Sequence, residues 1–155
     1  MKQSAGILAY RIRASLEVLL VHPGGPYFMN KDLGVWSIPK GEYGNEDPLE
    51  TALKEFNEET GNTIESMEFI PLQDVRLKSG KRITAWAVAC DFEKPFISSN
   101  TFEIEWPPKS GKKVSFPEVD KAEWVSLEIA RQKLNAAQVS FLNQLEALLN
   151  NRISK

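Results

Sequence analysis

The sequence is poor in the residues that build disulfide frameworks and soft-metal sites. Among its 155 residues there is one cysteine, Cys90, and one histidine, His22. These counts exclude a disulfide framework, a Cys/His zinc cage and a two-metal site built from imidazoles. Any metal chemistry therefore has to use carboxylates, which favour hard ions such as Mg²⁺ or Mn²⁺.

Long apolar runs and an excess of one charge are absent from the sequence as well. No stretch approaches the roughly 18 uninterrupted apolar residues of a membrane span, and residues 1–11 hold too short an apolar run for a signal peptide. The 19 basic and 21 acidic residues give a net charge of −2, which disfavours binding to a nucleic-acid backbone. With the lone thiol, these features predict a cytoplasmic protein without a nucleic-acid or membrane partner, and they leave its oligomeric state open.

The pattern of apolar and turn residues predicts a single domain over residues 1–155. A chain of this length that is 42% hydrophobic can bury a core without a disulfide or a structural metal. We expect strands over residues 6–13, 16–21, 35–38, 69–78, 82–92, 102–106 and 121–125, and late helices over residues 127–134 and 137–149. Strands before and after helices, on a sheet covered on both sides, predict an α/β fold of the α/β/α sandwich type.

The clearest local signals mark a further helix that begins after Asp47 and ends at Gly61. Asp47 is a good N-cap, and Pro48 lies where its missing N–H group costs nothing. Apolar residues recur at spacings of three and four from Leu49 to Phe56 and form one buried face. A flank rotated away from that face carries the three residues that we call the acidic edge, Glu55, Glu58 and Glu59.

The acidic edge has two explanations. Like charges repel at spacings of three and four, so the edge is either a solvated acidic surface, which is what charge runs usually are, or a site for a cation. The surroundings favour a site, because a strand is predicted to run into Pro39-Lys40-Gly41 shortly before the helix. A glycine there permits close approach of a ligand and leaves its carbonyl free to join carboxylates around a hard cation.

Two segments separated by seven residues carry a longer motif. Residues 41–46 read GEYGNE and residues 54–61 read KEFNEETG. Together they resemble the Nudix box of the Nudix hydrolase family, G-x5-E-x7-R-E-U-x-E-E-x-G-U, in which U is a bulky apolar residue. The sequence departs from this motif in three places: the first loop is one residue shorter, Lys54 replaces the arginine, and Asn62 replaces the last apolar residue. None of these departures removes a carboxylate.

The resemblance implies a fold, a reaction and a cofactor. The fold is a Nudix-type α/β/α sandwich with a mixed central sheet. The reaction is hydrolysis of a phosphoanhydride bond in a nucleoside polyphosphate, either a nucleoside triphosphate or a dinucleoside polyphosphate, by water that Mg²⁺ or Mn²⁺ activates. The metal ligands it implies are the Gly41 carbonyl and the carboxylates of Glu55, Glu58 and Glu59.

The same resemblance implies the catalytic residues. Glu58 and Glu55 are the catalytic candidates, and Glu58 is our choice for the general base. Glu118 is a candidate for an additional base or metal ligand, although its position equally suits an exposed loop acid. Glu103 and Glu105 compete for that additional role.

Residues outside the motif suggest how a substrate is bound. Lys40 suits a contact to phosphate, and Tyr27 and Phe28 suit stacking on a base; a surface lysine and core aromatics are the alternatives. Lys109, Lys112 and Lys113 are either contacts to a polyphosphate tail or solubilising residues. His22 is expected to be a strand-end residue without a catalytic role.

Two other functions are compatible with the sequence. The first is a Nudix-fold sensor that binds a nucleotide or nucleotide sugar without turnover, and the second is an interaction domain with an acidic surface. Retention of all three box glutamates favours catalysis over both. An isopentenyl diphosphate isomerase is disfavoured, because that chemistry needs a reactive cysteine and Cys90 is predicted to be a core residue.

Overall fold

A mixed sheet forms the centre of the fold. In this computed structural model, which describes residues 2–153, the elements follow in this order: β1 Gln3–Ile12, β2 Leu16–Pro23, β3 Lys40–Tyr43, α1 Pro48–Thr60, β4 Ile70–Pro71, β5 Val75–Arg76, β6 Arg82–Ala89, β7 Thr101–Glu105, β8 Lys113–Pro117, β9 Val119–Ser126, α2 Leu127–Lys133, a 3₁₀ turn Ala136–Gln138 and α3 Val139–Ile153. Met1 and residues 154–155 of the predicted domain lie outside the described residues. Among residues 2–153 no helix is long and apolar enough to cross a membrane.

The central strand is β1, which pairs with three other strands. It runs parallel to β6, starting with Gln3 opposite Arg82. The first half of β1 also pairs antiparallel with β3, where Gly6 lies opposite Lys40, and its end pairs antiparallel with β2. The sheet continues through β9 beyond β2, and through β4 and β5 beyond β6. Pairing with β1 therefore places the beginning of β3, with Lys40 and Gly41, against the centre of the sheet.

The side chains of β1 contribute to two apolar layers, because both faces of this strand are buried. On one face, Ala5 and Ile7 belong to a cluster with Phe56 of α1. On the other face, Leu8 belongs to a cluster with Phe141 of α3 and with residues of α2. Since α1 covers one face and α2 and α3 cover the other, the structure confirms the predicted α/β/α sandwich and its mixed sheet.

The caps of α1 are the predicted ones. The Asp47 side chain accepts a 2.9 Å hydrogen bond from the backbone N–H of Glu50, and Pro48 is the first helical residue. Gly61 has a φ of 82°, and its N–H donates to the carbonyl of Asn57 at 2.8 Å. Both ends of the helix are therefore set by local cap chemistry.

The strand predicted over residues 35–38 is wrong. The strand of this region is β3, Lys40–Tyr43, whereas Trp36 and Ser37 form only isolated bridges to the residue after α2 and to β2. Trp36 is 1% exposed. The apolar residues of this segment are thus buried by packing between β2 and α2 and not by a strand ladder, and alternation alone does not distinguish the two cases.

Two other segments differ from the prediction. The strand expected over residues 69–78 is broken into β4 and β5, although both pieces pair with β6 as the predicted hairpin requires. The strand expected over residues 102–106 is β7, and it pairs with β8 in a separate two-stranded hairpin that the sequence did not suggest. The turn of that hairpin lies between Glu105 and Lys113.

Candidate active site

The acidic edge lies where α1 packs against β3. A Cβ atom at residue 41 would overlap the Glu55 carboxyl group, so only glycine lets Glu55 lie against the strand. The backbone N–H of Lys40 donates a 3.1 Å hydrogen bond to Oε2 of Glu59. Two carboxylates of α1 are thus held against the backbone of two consecutive residues of β3.

Burial and mutual repulsion act on the same carboxylates. Glu59 is 7% exposed, and its burial, followed by the charge of Glu55, raises the pKa of the Glu59 carboxyl well above its ordinary value. Burial, followed by the charges of Glu58 and Glu118, raises the pKa of Glu55. Ionised carboxylates in such a place are unfavourable unless a cation compensates them.

Glu58 differs from its two neighbours in being partly solvated. Its side chain is 28% exposed, and its Oε1 lies 3.9 Å from Nζ of Lys54, one helical turn earlier. An exposed ion pair of this kind contributes little stability. Glu58 therefore remains available to accept a proton or to contact a ligand.

Glu118 lies near the acidic edge because of a chain of backbone hydrogen bonds. The N–H of Asn100 donates to the Glu58 carbonyl at 2.9 Å, and the N–H of Glu118 donates to the Asn100 carbonyl at 2.8 Å. The N–H of Gly24 then donates to the Glu118 carbonyl at 2.9 Å. The charge of Glu118 raises the pKa of Glu55 and, less strongly, that of Glu59. The structure thus places this fourth carboxylate near Glu55 and Glu59, whereas Glu103 and Glu105 lie on the exposed face of β7.

The carboxylates fit a hard divalent cation by their chemistry and charge. Over residues 2–153, no three carboxylate, imidazole or thiol groups already converge closely enough to hold a metal ion. The buried carboxylate of Glu59, the neighbouring Glu55 and the accessible Glu58 nevertheless form an all-oxygen set. Burial, followed by mutual repulsion, raises the pKa of Glu55 and Glu59, and a bound cation would offset both effects. The residues present therefore suit Mg²⁺ or Mn²⁺.

Lys40 and Phe28 line one cavity of about 300 Å³, to which Ser37, Asn135 and Gln138 add polar groups. Burial, followed by the charge of Lys81, lowers the pKa of Lys40. Gln138 is 2% exposed and accepts a 3.0 Å hydrogen bond from the N–H of Ile38. Sequence reasoning missed Gln138, because no local pattern connects it with a segment 100 residues earlier.

Tyr27 and the predicted lysines lie elsewhere. Tyr27 is 59% exposed, and its ring contacts the Trp106 ring edge-on with the centroids 5.3 Å apart. At 37% exposure Phe28 is not a core residue either. The basic residues at 109, 112 and 113 are exposed at and beside the turn of the β7–β8 hairpin.

A larger basic cavity lies beside Glu42 of β3. It has a volume of about 560 Å³ and is lined by Lys2, Arg76, Lys81 and Glu42, among others. Glu42 also borders a cleft of about 200 Å³ that Glu55 lines. Sequence reasoning missed Lys81, although its place beside the predicted Ser79-Gly80 turn gave a signal that it is exposed near a strand end.

A family model described as NUDIX domain matches residues 2–145. The chain belongs to the Nudix family. This confirms the family that the box motif suggested. No curated protein matches the chain.

Solved structures show the same Nudix fold. An Ap4A hydrolase from C. elegans matches with a TM-score of 0.70 and 22% identity, over 97% of this chain and 99% of that one. The Nudix domain of Shewanella oneidensis NrtR, crystallised with ADP ribose, matches with a TM-score of 0.66 and 16% identity, over 95% and 87% of the two chains. A MutT structure from a study of the Aliivibrio salmonicida and Vibrio cholerae proteins matches with a TM-score of 0.57 and 15% identity, over 94% of this chain and 96% of that one.

Two of the three departures from the Nudix box have local structural explanations. In the shortened loop, the N–H of Gly44 donates a 2.6 Å hydrogen bond to Oε2 of Glu46, so this glutamate closes a tight turn. Asn62 is 8% exposed, and its Nδ2 donates to the carbonyls of Lys94 and Pro95 at 2.9 and 3.2 Å. In this Nudix protein the last position of the box therefore holds a buried polar residue whose hydrogen bonds are satisfied.

The two residues that the sequence placed outside the site are both at least partly buried. His22 is 1% exposed, and its ring nitrogens lie 2.7 Å from Oδ1 of Asp120 and 2.7 Å from the carbonyl oxygen of Lys31. Cys90 is not the fully buried strand residue that the sequence predicted, because β6 ends at Ala89 and Cys90 is only half-buried against the core. Burial still raises the pKa of its thiol to about 12. Such a thiol is a poor nucleophile at neutral pH.

Proposed function

We propose that this Nudix protein is a Mg²⁺-dependent pyrophosphohydrolase, a hydrolase acting on acid anhydrides, and that residues 1–155 act as one domain. The observation that supports this most strongly is the packing of Glu55 against Gly41, with the neighbouring Glu59 buried. A helix selected for stability alone would not bury repelling carboxylates against a strand. A cation and an anionic substrate bound beside these carboxylates would compensate for the free energy that their burial costs.

The metal would be held by the box. The carboxylates of Glu55, Glu58 and Glu59 and the carbonyl of Gly41 are the ligands, with Mg²⁺ the expected ion and Mn²⁺ a substitute. When bound, such an ion polarises phosphoryl oxygens, lowers the pKa of a bound water and offsets charge on the leaving group. The family as a whole uses divalent metals in hydrolysis, which agrees with this donor set.

The proton of the attacking water goes to a carboxylate of this chain. Glu58 is the general base in our proposal, because it is partly exposed and only loosely paired with Lys54 at 3.9 Å. Glu55 assists as the second catalytic residue of the helix. Glu118 is the additional base or ligand, since its backbone is linked through Asn100 to the carbonyl of Glu58.

The substrate is a nucleoside polyphosphate, either a nucleoside triphosphate or a dinucleoside polyphosphate. Lys40 meets a phosphate, because it is desolvated in a cavity and its backbone contacts Glu59. Phe28 lines the same cavity and stacks on the base, while Tyr27 extends this aromatic wall towards Trp106. The basic cavity around Lys81 would accept the remaining phosphates.

The similar proteins point to nucleotide ligands. One is an Ap4A hydrolase and another was crystallised with ADP ribose, and both descriptions agree with a nucleotide-linked substrate here. The half-buried free thiol Cys90 agrees with a cytoplasmic location. The Nudix domain crystallised with ADP ribose agrees with one alternative, a Nudix-fold sensor that binds a nucleotide or nucleotide sugar without cleaving it.

A hydrolysis panel distinguishes the two functions. Wild type, Glu58→Gln and the matched control Glu128→Gln, at an exposed residue of α2, are incubated with Mg²⁺ and nucleoside triphosphates, dinucleoside polyphosphates or nucleotide sugars. Product masses in labelled water identify the cleaved bond. We expect turnover by wild type and Glu128→Gln, and a loss of about 100-fold or more in Glu58→Gln. Binding without turnover of any substrate would favour the sensor.

A further inference from the structure

His22 connects two segments that border the candidate active site. The first is residues 24–34, which carry Tyr27 and Phe28 and which we call the aromatic loop. The second is residues 118–120, which we call the Glu118 segment. The Nε2 atom of His22 lies 2.7 Å from the Lys31 carbonyl oxygen in the aromatic loop, and its Nδ1 atom lies 2.7 Å from Oδ1 of Asp120 in the Glu118 segment.

Each of these contacts leads on to a residue of the proposed site. The N–H of Lys31 donates a 3.0 Å hydrogen bond to the carbonyl of Phe28, which lines the substrate cavity. Lys31 therefore contacts both His22 and Phe28. Asp120 follows Glu118 by two residues, and the Glu118 carbonyl accepts a 2.9 Å hydrogen bond from Gly24 at the start of the aromatic loop. His22 is thus the side chain at which the two segments meet.

The ring is buried and its orientation is restricted. His22 is 1% exposed, and the Trp36 ring packs edge-on against it with the centroids 5.2 Å apart. The Trp36 indole N–H donates in turn to Asp32 at 2.7 Å. The Lys31 carbonyl and the Asp120 carboxyl thus hold the ring from two sides, one at each ring nitrogen.

We propose that His22 is a positioning residue of the hydrolytic site, and that its ring locks the aromatic loop to the Glu118 segment. This inference rests on the proposed function. The ring touches neither a phosphate-binding residue nor the acidic edge. It acts on substrate binding through Lys31 and Phe28, and on the chemical step through Asp120 and Glu118.

Two conservative substitutions separate these effects. The amide nitrogen of glutamine takes the place of Nε2, so His22→Gln retains the contact to Lys31 and loses the contact to Asp120. The amide nitrogen of asparagine takes the place of Nδ1, so His22→Asn retains Asp120 and loses Lys31. We expect His22→Gln to lower kcat by about 10-fold or more with KM little changed, and His22→Asn to raise KM by about 10-fold with kcat little changed. A side chain that only supports the fold would not divide kcat and KM in this way.

The wild-type protein supplies an independent measurement. Because His22 is the single histidine of the chain, ¹⁵N labelling of histidine reports on this ring alone. Asp120→Asn retains a side chain of similar size and loses the carboxylate. We expect this variant to shift the Nδ1 resonance of His22 more than the Nε2 resonance, and to lower kcat to a level that His22→Gln does not lower further.

Hydrogen exchange completes the test. The Gly24 amide, whose acceptor lies in the Glu118 segment, should exchange faster than in wild type in His22→Gln, which releases Asp120. The Lys31 amide should exchange faster in His22→Asn, which releases Lys31. Ring-nitrogen shifts that Asp120→Asn leaves unchanged, or folded variants with unchanged exchange and unchanged kcat and KM, would overturn the proposal. If the wild type hydrolyses no nucleotide, the proposed function fails, and the nitrogen shifts and amide exchange still decide whether the lock exists.

Discussion

The Glu55 carboxyl group occupies the volume that any side chain at residue 41 would need. This contact joins the strand that begins the Nudix box to the helix that ends it. The backbone of β3 forms part of the surface on which the Glu55 carboxylate lies. A side chain at residue 41 would cover that surface, which is the structural reason for a glycine there. The first prediction follows from this contact.

Replacing Gly41 by alanine should displace Glu55. Because the added methyl group overlaps only the end of a flexible side chain that can rotate away, we expect a loss of no more than about 1 kcal/mol in the free energy of unfolding. Displacing a catalytic carboxylate should also lower kcat/KM by roughly 100-fold. Denaturant titration and nucleotide hydrolysis measure the two effects.

Gly44→Ala is the matched control for this change. A Cβ atom at residue 44 meets only Oε2 of Glu46, at an ordinary distance of 3.7 Å. We expect its stability and activity to stay close to those of wild type. Equal effects of the two substitutions would show that the contact between residues 41 and 55 is not what matters.

Removing the charge of Glu59 should stabilise the metal-free protein. The Glu59 carboxyl is buried next to Glu55, and burial raises its pKa. Ionisation of Glu59 therefore opposes folding. The free energy of unfolding falls as pH rises from the ordinary pKa of a glutamate towards the raised pKa of Glu59. We expect metal-free Glu59→Gln to melt roughly 2–4 °C above wild type at pH 7. Added Mg²⁺ should raise the melting temperature of wild type more than that of the variant.

Glu128→Gln serves again as the control, because it removes an exposed charge on the opposite side of the sheet. It should change neither the metal-free melting temperature nor the response to Mg²⁺. A metal-free Glu59→Gln protein that melts below wild type would mean that the ionised carboxylate is stabilised in the fold without a cation.

The two aromatic residues of the aromatic loop should differ in their effect on substrate binding. Phe28 lines the cavity that contains Lys40, whereas Tyr27 contacts Trp106 outside it. We expect Phe28→Ala to raise KM by roughly 10-fold through loss of stacking on a base, and Tyr27→Ala to raise it less. Met67→Ala, at a residue that is 93% exposed, is the control. A larger effect at Tyr27 would place the base on the β7–β8 hairpin instead.

The thiol of Cys90 should be nearly inert in the folded protein. Burial raises its pKa to about 12 from 9.0, which leaves on the order of a thousandth of the usual thiolate near neutral pH. We therefore expect alkylation at pH 8 to be slower by about that factor than in protein unfolded by urea, and to accelerate as pH rises. Rapid alkylation of the folded protein would reopen thiol chemistry at this residue.

Features that depend on neighbours in the chain could be predicted from the sequence. The caps at Asp47 and Gly61, the apolar face of α1 and the acidic edge all follow from spacings within a few helical turns. The box motif also named the family. Such signals are strong because each is decided by contacts within one helix or turn.

Contacts between distant segments could not be predicted in the same way. The apolar residues 35–38 suggested a strand, but burial against α2 is an equally good reason for apolar residues. The approach of Glu118 depends on hydrogen bonds that run through Asn100 to α1 and on to Gly24. Nothing in the short-range pattern around Glu118 distinguishes it from an exposed loop acid.

By itself, the sequence determined the capped helix, its three carboxylates, the covered sheet and the Nudix family. Only the tertiary structure decided that β3 starts at Lys40, that Phe28 shares a cavity with Lys40, and that His22 lies between Lys31 and Asp120. The physical reason is the range of the interactions. Helix caps and periodicity act over a few residues, whereas pockets and buried polar contacts form only when the whole chain has folded.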